Sequence, residues 1–86
     1  MLNEELYETL EHEFEKNKIE DAVEDILLDM AEFLADQETT GKTLTCQGRA
    51  GKARLHASGR VEEDGGVYIE KLSINDREYV IDDYFL

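Results

Sequence analysis

The chain has 86 residues, one Cys, no Pro and no Trp, and its 22 acids against 9 Lys and Arg give a formal charge of −13. That length fits one domain with one modest core, and a lone thiol excludes an internal disulfide. The excess of acid opposes nucleic acid and anionic membrane as direct partners and favours basic surfaces.

At 41% hydrophobic residues the chain is too apolar for a disordered tail, so 1–86 is read as a single domain. Its start carries acids and no bases, unlike a secretory signal. No apolar run approaches the roughly 18 residues of a membrane span. Together with the single cysteine, these features give a cytoplasmic expectation.

The first predicted element is a helix. Leu2, Leu6, Leu10 and Phe14 recur at four-residue spacing with Tyr7 beside them, which makes one apolar stripe at about 100° per residue. Asn17-Lys18-Ile19-Glu20 reads as a capping box opening a second helix. On that helix Ile19, Ala22, Val23, Ile26, Leu27, Met30, Phe33 and Leu34 are expected on one face, with Gly41 as its left-handed C-cap.

Period two follows. Leu44 and Cys46 oppose Thr43, Thr45 and Gln47; Ala53, Leu55, Ala57 and Val61 oppose Lys52, Arg54, His56, Ser58 and Arg60. Ala50-Gly51 is the expected hairpin tip, and Asp64-Gly65-Gly66 is a stronger turn signal. Val67 to Ile74 forms a third strand whose inward parity switches between Ile69 and Leu72, as a bulge or burial of both faces would require. A tight turn at Asn75-Asp76 leads to a fourth strand, Glu78 to Ile81, and Tyr84-Phe85-Leu86 is expected to dock as core. The expected fold is α+β: two N-terminal helices (1–38) packed on one face of a four-stranded antiparallel β-meander (42–86).

Charge follows the same division. Residues 1–38 hold 14 acids and 2 bases, residues 39–61 hold 5 bases and no acid, and residues 62–86 hold 8 acids and 2 bases. Asp21, Asp25, Asp29, Glu32 and Asp36 line one side of the second helix, and Glu4, Glu8, Glu11 and Glu15 line the first. Like charges at this spacing cost an isolated helix roughly 0.2–0.5 kcal/mol per pair, so the rows work against local stability. Either they are an ordinary solvated face, or they are rows of carboxylates that imitate phosphates. Leu28, ringed by acids on the polar side, is a candidate anchor for a basic partner with an apolar socket.

Other chemistry is thinly signalled. The strip Arg49, Lys52, Arg54 and Arg60 is short and without interleaved aromatics, so direct nucleic-acid binding is not expected. His12, His56 and Cys46 offer no zinc spacing, and Glu62-Glu63-Asp64-Gly65-Gly66 lacks the ligand pattern of a calcium loop; no metal or cofactor is expected. Cys46 and His56 are the only nucleophile–base pair by type, and alternation points them to opposite faces, so no enzyme is expected.

In size and charge the chain is analogous to small acidic proteins of phages and mobile elements, such as anti-CRISPR proteins and DNA mimics; no motif carries that likeness. The expected function is a stoichiometric inhibitor that blocks a basic nucleic-acid-binding surface. The alternatives are an immunity protein or antitoxin against a cationic toxin, and a structural or adaptor module whose helices meet the basic strip of a second copy as a homodimer.

Overall fold

The structure is a computed structural model and describes residues 2–85. Two helices, α1 (Glu4–Lys16) and α2 (Val23–Ala35), precede four strands, β1 (Leu44–Ala50), β2 (Ala53–Val61), β3 (Val67–Ile74) and β4 (Arg77–Tyr84). The strands form one antiparallel sheet in meander order. α2 contacts β1, β2 and β3, and α1 packs against α2.

Helix ends follow from local chemistry. Asn3 caps α1, its side-chain oxygen accepting from the Leu6 amide at 2.8 Å. At the other end, Asn17 is the C-cap of α1, where a capping box had been expected to start α2. The reason is a Schellman closure. Lys18 is left-handed, with φ 59°, and the Ile19 amide donates back to the Phe14 carbonyl at 2.9 Å. The Phe14 and Ile19 side chains are both buried, supplying the apolar contact this motif favours. Ile19 is therefore core without being helical, and α2 begins four residues later behind Ala22, which makes no side-chain cap. α2 closes at Asp36, with left-handed Glu38 following it, so Gly41 lies out in the loop and is not the cap.

The strands bear out the alternation. Ala53, Leu55, Ala57 and Val61 are buried, and Arg54, His56, Ser58 and Arg60 face outward. The hairpin tip is Gly51-Lys52, one residue later than expected, so Lys52 lies in the turn and not on the outer sheet face. The parity switch in β3 is a bulge against β2: Ile69 pairs with Gly59 and Lys71 with the adjacent Ser58, which leaves Glu70 as the extra residue. Asn75 and Asp76 both have positive φ, 50° and 71°, the signature of a two-residue hairpin turn that matches strand twist. β4 runs on to Tyr84, past the expected Ile81. Phe85 packs against the core, while Tyr84 is half exposed; Leu86 lies outside the described residues.

The core lies between α2 and the inner sheet face. Leu10 and Phe14 of α1 meet Val23, Leu27, Met30 and Leu34 of α2 over Leu55, Ala57, Ile69 and Leu72. Ala31, Ala53 and Ala57 are buried small residues that let helix and sheet approach closely.

Asn17 ties the two halves together. Its carbonyl accepts from the Lys52 amide at 2.6 Å, and its side-chain oxygen accepts from Asn75 Nδ2 at 2.8 Å. Asn75 Oδ1 in turn accepts from the Arg54 amide at 2.9 Å. Asn17→Ala leaves Asn75 Nδ2 without this acceptor and is expected to lower stability by about 1 kcal/mol. Urea unfolding should show a lower midpoint with an unchanged slope.

Candidate protein-interaction surface

The acidic residues singled out from sequence divide into three settings. Glu4, Glu8, Glu11 and Glu15 are exposed on α1. Asp25, Asp29 and Glu32 are exposed on α2, with Asp36 at its C-cap. Asp21 is exposed in the connecting loop, because α2 starts later than the pattern implied. It joins Glu8, Glu11, His12, Glu15 and Glu20 along an open cleft of about 440 Å³ between α1 and that loop.

The two helices bring their acids together around Tyr7. Its phenol is held above its ordinary range, first by the carboxylate of Glu24, then by partial burial, then by Glu11 and Asp25. A phenolate there would add a negative charge to a region already crowded with them. Spectrophotometric titration should find Tyr7 ionising later than a free tyrosine. Glu24→Gln and added salt should each bring it back towards the ordinary value.

The distribution of ion pairs is uneven. Glu13 is the only carboxylate of residues 2–38 with an ion-pair partner among the described residues, bridging Arg77 at 3.4 Å and Lys16 at 3.7 Å. Three cations of the sheet half pair with sheet acids, Arg54 with Asp76 at 3.3 Å, Arg60 with Glu62 at 3.0 Å and Lys71 with Glu78 at 4.0 Å, while Lys42, Arg49 and Lys52 make no ion pair among the described residues. Glu4, Glu8, Glu11, Glu15, Asp21, Asp25, Asp29, Glu32 and Asp36 make no ion pair among the described residues.

Compared with family models, curated proteins and solved structures, the chain matches none.

Two apolar side chains break the acidic face of α2. Leu28 is 37% exposed, where sequence placed it. Phe33, expected on the apolar stripe, is instead 47% exposed. At about 100° per residue it sits on the margin of the stripe, whose centre runs through Val23, Met30 and Leu34. That angular offset was the available signal.

Besides the loss of Lys52 to the turn, the outer sheet face differs from the sequence reading in its aromatics. Aromatics do join the basic strip, brought from other strands: the Arg60 guanidinium lies 4.5 Å from the Tyr68 ring centre, and the Tyr68 and Tyr84 rings are 5.2 Å apart. Glu62 nevertheless neutralises Arg60 at this spot and also accepts from the Tyr84 hydroxyl at 3.4 Å. Cys46 is buried, and burial pushes its thiol above the ordinary range; His56 stands on the opposite face of the sheet. Among the described residues no group of three or more His, Cys, Asp or Glu is placed to hold a metal ion, and no helix is long and apolar enough to cross a membrane.

Proposed function

We propose that the chain is a non-enzymatic, stoichiometric inhibitor whose acidic helical layer occupies the basic, nucleic-acid-binding surface of an effector protein. One observation supports this reading: the exposed helix acids stand in ordered rows and, Glu13 apart, make no ion pair among the described residues, while Arg54, Arg60 and Lys71 of the sheet half pair with sheet acids. Successive exposed acids on one helix face have Cβ atoms about 5–6 Å apart, comparable with the spacing of phosphates along a nucleic-acid strand. Such a surface competes for the same lysines and arginines as a phosphate backbone. Its long-range field speeds encounter, by roughly tenfold to a thousandfold at low salt, and its affinity falls as salt rises.

The test is capture and competition. The immobilised chain should retain a basic nucleic-acid-binding protein at low ionic strength and release it to added nucleic acid. The triple reversal D25K/D29K/E32K should abolish that capture while the circular dichroism spectrum stays unchanged, since all three side chains are exposed. Capture that survives the reversal, or that nucleic acid does not displace, refutes the proposal.

A further inference from the structure

We propose that the outward face of α2 docks a basic amphipathic helix of another protein, with Leu28 and Phe33 holding its apolar side chains on either side of the acid row. This rests on the reading of the helix acids as the contact surface, and it adds what the partner must present there.

Leu28, Phe33, Val80 and Tyr84 are the exposed large hydrophobics among the described residues, and two of these four lie on α2. Leu28 and Phe33 are separated by roughly 140° around the helix axis. Phe33 is on the β1 flank, where its ring edge approaches Gly48: a Cβ built there would lie 3.9 Å from Phe33 Cε2. Leu28 is on the other flank. The arc between them carries Asp25, Asp29, Glu32 and Asp36, all exposed and without ion pairs among the described residues.

The composition selects the partner. A surface that is only cationic would satisfy the acids and leave Leu28 and Phe33 wet. A surface that is only apolar would strip water from carboxylates without replacing it. The partner must therefore alternate Lys or Arg with large apolar side chains. A helix does this at the right spacing: its i,i+3 and i,i+4 side chains repeat at about 5–6 Å, matching the acid row. Same-face residues of a strand repeat at about 7 Å and drift out of step.

The experiment uses two synthetic helical peptides of equal length and charge, one of Lys and Leu in amphipathic order, the other of Lys and Ala. Binding to the full chain is followed by fluorescence anisotropy across a salt series and mapped by amide chemical shifts. The Lys/Leu peptide should bind about tenfold more tightly, with the advantage persisting at high salt. L28A/F33A should erase that advantage and leave the affinity for Lys/Ala peptide unchanged. Both side chains are exposed, so the variant should fold, and its circular dichroism spectrum verifies this. Equal affinity for the two peptides, or an advantage that survives L28A/F33A, overturns the docking proposal while leaving the acidic-surface reading intact. Lys/Ala binding that persists in D25K/D29K/E32K counts against the acidic-surface reading itself.

Discussion

Gly59→Ala is expected to destabilise the domain by about 3 kcal/mol or more, enough to leave much of the protein unfolded at moderate temperature. Gly59 is buried in the middle of the sheet, at the register shift between Ser58 and Gly59 where β2 pairs with β3. A Cβ at this position would run into the Tyr68 carbonyl oxygen, and would lie 3.0 Å from the Tyr68 carbonyl carbon and 3.1 Å from Ile69 Cα. All three atoms are backbone of the central strand β3, which is bonded on both sides by β2 and β4. No rotamer change relieves the clash; the ladder itself must open. A domain of this length has roughly 4–13 kcal/mol of total stability, so the loss is a large share. Ser58→Ala, one residue away on the outward face, should change stability by no more than about 0.5 kcal/mol. Parallel thermal melts of the two variants check the contrast; equal melting temperatures would disprove the close-approach argument.

Leu27→Ala is the second large effect, at about 3 kcal/mol. Leu27 is fully buried at the helical layer, on the helix that contacts both α1 and the sheet. Truncation removes apolar burial and leaves a void that surrounding side chains close only in part. For a domain of this size the melting temperature should fall by roughly 15 °C. Because α2 carries Asp25, Asp29, Glu32 and Asp36, partner capture should be lost in step with folding. Charge reversal behaves differently, removing capture without moving the melt. A Leu27→Ala protein that melts normally would place that side chain outside the core.

Much of this architecture was legible because burial imposes simple periods. The stripe through Val23, Met30 and Leu34 announced α2, and the alternation of Ala53, Leu55 and Ala57 announced β2 and its inner face. Even the bulge in β3 was visible, since two apolar series of opposite parity within one strand need an extra residue between them, here Glu70 opposite β2.

The failures occurred where two local devices compete for one residue. Asn17 suits either an N-cap or a helix end, and the choice was made by Ile19, which gains burial against Phe14 only if α1 closes first. Phe33 looked like core because periodicity records angle and not what stands opposite; Gly48 of β1 lies beside its ring and has no side chain to cover it. Gly59 gave no signal, because its importance lies in a carbonyl contributed by another strand. The ion-pair census was equally hidden, since pairing of Arg77 with Glu13 joins residues 64 positions apart. The acid rows themselves were legible; that they lack internal counterions became apparent only in three dimensions.

The uneven distribution of charge, 14 acids and 2 bases in residues 1–38 against 8 acids and 7 bases in residues 39–86, gives the molecule an electric dipole with its negative pole on the helix side. In the field of a cationic surface such a body experiences a torque as well as a pull. It turns helices-first while still separated by several water layers, within reach of the unscreened field. With a cationic partner, such steering would raise the fraction of productive collisions without any additional adhesive contact.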